Sequence, residues 1–545
     1  MGSTTPTRRA LASFAALAAA LVVGAALRAY DRDYGLPSRI HPDEPLLIEP
    51  AQRISHLEQL DFHPRILRYP SLPIYALAGA LAVDRALGHE PAEAPAARAR
   101  AVLVARDVTV AVGVATIAVV FLLARELAGR RAAALAAFLF AVAPVPAVDA
   151  HYANVNVPLT FFASLATWGL VRWQRGLRAR DLLLAAAAIG LAGGCKYNGL
   201  ALGLAVPATA IALVASGRLA AGAAVRSVAL AGGVAALAFL ATTPYVLLDV
   251  PFFASEIARE LDHQARGHPG ADVVAGEGIY RPVVYQLVAG LPMTLGIATY
   301  PLSLVGAALF AARARSGAVA FLAALAALLA PLVVSKIAFV RYLMPLAPLL
   351  CAAAGVAVAR LESRAARAAG TAVAAIAAAT TLATTAGMVE SLSPMPAEET
   401  SRWLAAHVAR GDAVGVVGGI LFHLDGATGD GASGDGATGD GADGAFAIEP
   451  ASLRRLATGV ERPRWLVVDT WERNRLRRPG DARPRVLEFA RQLGDDASPY
   501  VRRAAFAAHY PFQRAYLALD PAFASYPLLG AEIFERRVPP ARAPH

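Results

Sequence analysis

Apolar runs of about 17–25 residues recur along this 545-residue chain, divided by short clusters of arginine. That length is what roughly 30 Å of hydrocarbon asks of an α-helix rising ~1.5 Å per residue. Apolar side chains make up 57% of the chain and charged ones 17%, against roughly 25% charged in soluble proteins. The expected fold class is therefore a polytopic α-helical membrane protein. A net charge of +10 would suggest nucleic acid only if the arginines shared a soluble face. They lie between apolar runs instead, where orientation in a bilayer explains them, and no nucleic-acid partner is expected. Cys195 and Cys351 both fall in apolar segments, so a disulfide framework is not part of the design.

Twelve runs fall near 10–28, 69–87, 101–124, 132–148, 157–171, 182–195, 199–216, 227–247, 284–311, 317–334, 342–359 and 368–388. The bias of arginine toward the cytoplasm decides how many cross. The basic clusters are Arg8/Arg9, Arg125/Arg130/Arg131, Arg172/Arg175/Arg178/Arg180, Arg218/Arg226, Arg313/Arg315 and Arg360/Arg364/Arg367. All can face inward only if 69–87 does not cross. That run holds Pro70 and Pro73 and ends in Asp84 and Arg85, which suits a helix lying in the interface. About eleven transmembrane helices are expected, with the N-terminus cytoplasmic and the C-terminal part outside. A turn at Lys196-Tyr197-Asn198 makes 182–216 a hairpin and keeps Arg218 and Arg226 inside. The first run follows Arg8 and Arg9 as a signal peptide would. No small-residue cleavage site precedes the polar stretch at Arg28 to Arg39, so it is expected to remain as a span.

Under this topology the outer face receives loops 29–100, 149–156, 248–283 and 335–341, the Lys196 turn, and everything after about residue 390. The polar residues that orientation leaves unexplained nearly all land there. Two domains are expected: a membrane-embedded one over 1–390, and a soluble extracytoplasmic one over 391–545. In the second, Val414 to Val417 and Trp465 to Asp469 read as short buried strands. Ser401 to Val408 and Val486 to Leu493 read as helices, together a small α/β domain. Between them Gly426 to Ala445 repeats a Gly-Asp-Gly-Ala theme. Its aspartates match neither the EF-hand loop nor the nonapeptide repeat, and a flexible low-complexity loop is expected. The Ala/Arg-rich composition suggests a high-GC bacterium, and so its plasma (inner) membrane.

Three constellations could carry chemistry. The first is His41-Pro42-Asp43-Glu44-Pro45. A charge deep in a bilayer costs roughly 2.5–3.5 kcal/mol or more, which places this acidic pair at the surface or in a wet cavity. Asp43 reads equally as the cap of a helix starting near Pro45 and as a general base, and the two roles are compatible. The second is Asp149, His151, Asn154 and Asn156, which alone would pass for an ordinary polar loop. The third is a set of cations near span ends: Lys196, Lys336, Arg341, and Arg68 beside Tyr69. Each could snorkel to the interface. On a face that should be poor in positive charge, four of them suit phosphate better.

These residues resemble successive motifs of the family 39 glycosyltransferases. The motifs are His41-Pro-Asp-Glu44, Arg68-Tyr-Pro-Ser-Leu72, His151-Tyr-Ala-Asn-Val-Asn-Val-Pro-Leu-Thr-Phe162, Gly194-Cys-Lys196-Tyr197 and Arg341-Tyr-Leu-Met-Pro-Leu346. That family holds the protein O-mannosyltransferases and the lipid A aminoarabinose transferase, in a membrane-embedded type-C fold. The resemblance covers about residues 10–390 in motif order. It implies a polyprenyl-phosphate sugar donor and an acceptor, whether protein, lipid or polysaccharide, glycosylated on the outer side of the membrane. It also implies Asp43 as the base with Glu44 beside it, and Lys196 and Arg341 toward the donor phosphate, with Lys336 and Arg68 as looser matches. Asp149, His151, Asn156 and Tyr197 would meet sugar or acceptor. The family often has aspartate where this chain has Asn156, which puts a second carboxylate in doubt.

Such a reaction needs a base and a stabilised phosphate leaving group. No metal or other cofactor is required, although a divalent ion near Asp43, Glu44 or Asp149 is compatible with it. Two other readings compete. A transporter or flippase of a lipid-linked glycan would show inverted repeats and mid-span charge. No repeat is found, and Arg106-Asp107 is the main charge within a span. A catalytically inactive scaffold would keep the spans without needing the acidic pair.

Overall fold

The computed structural model describes residues 6–36, 41–89, 91, 93–266, 282–312, 317–335, 337, 339–409, 412–418, 447–475, 484–496, 498–520 and 530–537. Lys336 and the Gly/Asp-rich run 426–445 lie outside the described residues. The chain divides into two compact units, the first drawn from residues up to Val389 and the second chiefly from Glu390 onward.

Among the described residues the first unit is helical throughout. Its elements are α1 (Pro6–Ala29), α2 (Pro45–Ile54), α3 (Leu72–Ala86), α4 (Ala94–Ala128), α5 (Arg130–Ala141), α6 (Pro144–Val148), α7 (Asn156–Gly176), α8 (Ala179–Cys195) and α9 (Ala205–Ala215). They continue as α10 (Ala221–Thr242), α11 (Tyr245–Leu248), α12 (Val250–Arg266), α13 (Pro282–Tyr285), α14 (Leu291–Leu295), α15 (Thr299–Ala312), α16 (Ala318–Val334), α17 (Ala347–Ala359) and α18 (Arg364–Glu390). The core is built largely of alanine, with Ile117, Leu123, Leu139, Leu170, Ile189 and Phe321 among its larger members. Small residues let backbones close up, as expected where lipid removes the hydrophobic drive between helices. A Cβ on Gly306 would run into the Ala353 carbonyl of α17, and one on Gly190 into the Ala235 carbonyl of α10.

The apolar runs all become helical, but their capacity to cross differs from the expected eleven. Among the described residues six helices are long and apolar enough to span: Leu11–Ala29, Ala96–Ala128, Tyr197–Ala215, Ala221–Thr242, Val340–Ala359 and Arg364–Glu390. Two bent pairs raise this to eight: Arg130–Ala141 with Pro144–His151, turned by 62°, and Pro282–Leu295 with Thr299–Ala312, turned by 114°. α8 and α16 have 17 residues each, at the lower limit for a straight crossing. The run at 69–87 becomes α3, whose 15 residues reach only about 22 Å, in keeping with a helix that does not cross. It packs against α2, and Arg85 donates to the Ser55 carbonyl at 2.9 Å.

The second unit is a five-stranded sheet in the order β2-β1-β3-β5-β4, with β1 (Ala413–Val417), β2 (Ala447–Pro450), β3 (Trp465–Asp469), β4 (Tyr500–Phe506) and β5 (Ala531–Arg536). β2, β1 and β3 run parallel, while β5 is antiparallel to both β3 and β4. Alternation sends Val414, Val416, Trp465, Val467 and Ile533 to one face, packed on Leu404 of helix α19 (Pro396–His407). Val417, Leu466, Val468 and Phe534 go to the other, against Leu453 of α20 (Leu453–Ala457) and Ala490, which belongs to the helix Pro484–Gln492. β3 is buried on both faces, which is why it reads as an unbroken apolar run.

Candidate active site

A half-open pocket in the helical unit gathers Asp43, Tyr69, Asn156, Lys196, Glu260, Arg341 and Tyr342, with Leu47, Asn154 and Val155 completing its wall. Its atom-free space is about 440 Å³, open solvent included. Four of the residues singled out in the sequence, Asp43, Asn156, Lys196 and Arg341, meet here from segments far apart in the chain. Each comes from a loop or turn at the end of a helix, so a rigid scaffold presents chemistry on its connections.

Asp43 precedes α2. Pro45 stands in the first turn of that helix, and Glu44 occupies the cap position without a side-chain capping bond. The Asp43 carboxylate meets Arg341 at 3.2 Å from Oδ2 to a guanidinium nitrogen. Arg341 comes from the 3₁₀ turn Val340–Leu346 that leads into α17, and it lies over the Phe339 ring at 4.5 Å. Lys196 sits in the turn after α8. Its Nζ lies 3.9 Å from the centre of the Tyr342 ring and 3.5 Å from Asn156 Oδ1. Among the described residues no carboxylate comes within ion-pair distance of it. Burial, with the nearby Arg341 charge, pulls the Lys196 ammonium down to about 8. Burial also raises the Tyr69 phenol well above its usual range, so Tyr69 remains a neutral hydrogen-bonding group.

Asn156 is aimed by Asn154. The Asn154 side chain donates to the carbonyls of Asp149 and Tyr152, at 2.7 and 2.9 Å, and accepts from the backbone N–H groups of Asn156 and Val157, at 2.9 and 3.0 Å. It thus satisfies the free N–H groups at the start of α7 and fixes the loop before it.

The acidic pair is split. Glu44 is fully buried and receives Arg106 Nε and a terminal nitrogen at 2.9 Å each, a bidentate pair. The same carboxylate accepts from the Ala153 backbone N–H at 3.1 Å, and Arg106 donates to the Arg32 carbonyl at 2.8 Å. Glu44 therefore ties together the first loop, α4 and the second loop, while Asp43 alone faces the pocket.

Other residues singled out in the sequence stand outside the pocket wall. His151 is buried, with Nδ1 on the carbonyls of Ala147 and Val148. Asp149 is buried beneath the same loop. Arg68 is exposed, and its backbone N–H is held by Glu256 at 3.3 Å. Tyr197 donates to the Leu67 carbonyl at 2.7 Å. Sequence reasoning missed Glu260. Its signal was present: Glu256, Glu260 and Gln264 recur at helical spacing on α12, one polar stripe on an otherwise mixed helix. Among the described residues no group of three or more His, Cys, Asp and Glu side chains is arranged to hold a metal ion.

The arrangement offers a carboxylate to accept a proton, two cations to receive an anion, and amide and phenol groups to orient a polar substrate. Residues 100–247 match the family described as dolichyl-phosphate-mannose-protein mannosyltransferase. Nothing among curated proteins matches. Among solved structures, the apo oligosaccharyltransferase of Archaeoglobus fulgidus is similar at 16% identity and TM-score 0.48, over 75% of this chain and 63% of that one. The present chain thus spans less than two thirds of that enzyme's length. ArnT from Cupriavidus metallidurans, bound to undecaprenyl phosphate, is similar at 16% identity and TM-score 0.47, over 98% of this chain and 99% of that one. The Pmt1–Pmt2 protein O-mannosyltransferase complex of S. cerevisiae, bound to its sugar donor, is similar at 17% identity and TM-score 0.30, over 54% and 37%. The motifs His151 to Phe162 and Gly194 to Tyr197, which supply Asn156 and Lys196 to the pocket, both lie in the stretch that matches the dolichyl-phosphate-mannose-protein mannosyltransferase family.

Proposed function

We propose that this chain is a membrane-embedded glycosyltransferase that moves a sugar from a polyprenyl-phosphate donor to an acceptor hydroxyl on the extracytoplasmic face of the plasma membrane. The observation that carries the reading is the pocket in which Asp43 stands 3.2 Å from Arg341, with Lys196 on the same wall. The match over residues 100–247 and the order of the five motifs support it.

In this reading Asp43 accepts the proton of the acceptor hydroxyl as its oxygen bonds to the anomeric carbon. The bond from that carbon to the phosphate oxygen breaks, and polyprenyl phosphate leaves carrying the electron pair. Lys196 and Arg341 stabilise the charge that gathers on the phosphate. Arg341 also holds the Asp43 carboxylate in place. Asn156 and Tyr69 orient the substrate. Glu44 acts at one remove, holding the loop that presents Asp43. Asp149 and His151 support the second loop from beneath it, and Tyr197 braces the Leu67 backbone.

The test is transfer from a radiolabelled polyprenyl-phosphate hexose or pentose, by purified protein, to a cell-envelope extract supplying protein, lipid and polysaccharide acceptors. Asp43→Asn preserves shape and removes proton-accepting capacity, so transfer is expected to fall on the order of 10²-fold or more. Near-normal transfer by this variant would refute Asp43 as the base, and no transfer by the unaltered protein from any such donor would refute the reading itself.

A further inference from the structure

The pocket holds a charged side chain that the proposed chemistry leaves unused. Glu260 lines it from α12. One of its oxygens, Oε1, accepts from Gln264 Nε2 at 2.9 Å, a turn further along the same helix. A turn earlier, Glu256 accepts the backbone N–H groups of Leu67 and Arg68, at 3.3 Å each, and Arg259 at 2.9 Å. Glu256 thus fixes α12 to the segment that carries Tyr69 into the pocket. Gln264 holds Glu260 in turn, so the carboxylate is positioned on a helix rather than waving from a loop. No described side chain bonds its second oxygen.

Charge distinguishes the groups that line the pocket. Asp43 is engaged by Arg341, and Lys196 has no ion-pair partner among the described residues. An anionic phosphate is drawn to Lys196 and repelled by Glu260. The groups that a lone carboxylate oxygen welcomes are neutral hydrogen-bond donors, and a sugar carries several on the ring next to its phosphate. Resting on the glycosyltransferase reading above, we propose that Glu260 is the specificity-determining residue for the donor's sugar, accepting hydrogen bonds from ring hydroxyls while Lys196 takes the phosphate.

A carboxylate that reads the sugar and one that merely adds charge to the pocket differ in a measurable way. The probes are undecaprenyl phosphate alone and undecaprenyl phosphate carrying one neutral hexose, each titrated into the full-length protein in detergent. The unaltered protein should favour the glycosylated lipid by about tenfold, the preference expected of one or two charge-assisted hydrogen bonds. Glu260→Ala should cut that preference to near unity, by weakening only the glycosylated lipid and leaving the bare lipid unchanged or slightly tighter. Glu260→Gln keeps an acceptor oxygen and should retain part of the preference. Lys196→Ala should weaken both lipids together. The inference is overturned if Glu260→Ala leaves the preference intact, or lowers both affinities equally. Failure of the unaltered protein to bind either lipid would count against the glycosyltransferase reading instead. Unchanged thermal unfolding of Glu260→Ala separates lost recognition from lost folding.

Discussion

The C-terminal sheet and the pocket of the helical unit use charge in opposite ways. In the C-terminal sheet, cations and carboxylates are matched into shared pairs: Arg464 reaches both Asp412 and Glu535, Arg503 also takes Glu535, and Arg473 and Arg502 converge on Glu532. In the helical unit Glu44 and Arg106 are matched as fully and lie entirely buried, and Asp61 is likewise shared by Arg53 and Arg65. The neighbouring pocket is different: Lys196 is left against an aromatic ring, and Glu260 bonds to Gln264 through one oxygen. Satisfied charge marks what the fold needs for itself. Charge held in place but incompletely satisfied marks where a ligand would complete it.

The largest expected effect tests the satisfied side of this contrast. Removing one partner of a buried ion pair leaves the other uncompensated and costs roughly 3–5 kcal/mol. Glu44→Ala should therefore destabilise the protein by about that much, and Arg106→Ala similarly. The double variant should cost less than the two singles added together. Unfolding monitored in detergent with increasing denaturant measures all three. If Glu44→Ala instead folds normally and only turnover drops, Glu44 belongs with Asp43 in the chemistry and the contrast breaks at its clearest point.

Next in size is the binding of donor phosphate. A hydrogen bond to a charged group is worth about 1.5–3 kcal/mol, so Lys196→Ala should weaken donor binding about tenfold to a hundredfold. Asp43→Asn should leave donor binding little changed while abolishing most turnover, and that opposite bias sharpens the division of labour within the pocket. Lys196 also sets a pH dependence. Burial holds its ammonium down at about 8 in the free protein, against about 10.4 for an ordinary lysine, and a bound phosphate raises it again. Below pH 8 the charge is present and binding is complete. Above it, binding must first recruit a proton, so affinity should fall by up to about tenfold per pH unit. A glycosylated lipid is the right probe, because its phosphodiester keeps one charge throughout. Lys196→Arg should flatten the profile between pH 7.5 and about 9.5, and a profile as steep as the unaltered protein's would remove Lys196 from the phosphate.

What could be read from the sequence follows from how local each constraint is. Membrane burial demands length and apolarity, which any stretch displays by itself, so the helices were legible. The motif residues Asp43, Asn156, Lys196 and Arg341 converge on one pocket, from loops that the arginine clusters were expected to place on one face. The split of Asp43 from Glu44 was not legible. It depends on Arg106, 62 residues further on, and no local pattern states which of two adjacent carboxylates that arginine will take. Glu260 was hidden for another reason. Its helix has no motif, and its polar stripe gains meaning only when Glu256 is seen holding the Leu67 backbone.

The smallest expected effect lies in the sheet, where saturation makes each pair nearly redundant. Arg503 is half exposed and meets Glu535 at 2.8 Å, but Arg464 also reaches Glu535, at 3.4 Å. Solvent screens such a pair, and exposed ion pairs contribute roughly 0.2–1 kcal/mol. Arg503→Ala should therefore cost less than about 1 kcal/mol and leave sugar transfer unchanged, since Glu535 keeps a cation. Raising the salt should erase most of that difference, because exposed charges more than about 8–10 Å apart are already screened near physiological ionic strength and closer ones weaken as salt rises. The measurement is thermal unfolding alongside donor turnover at low and high salt. Loss of turnover without loss of stability in Arg503→Ala would mean that this face binds a substrate, and the division between satisfied and waiting charge would no longer separate the sheet from the pocket.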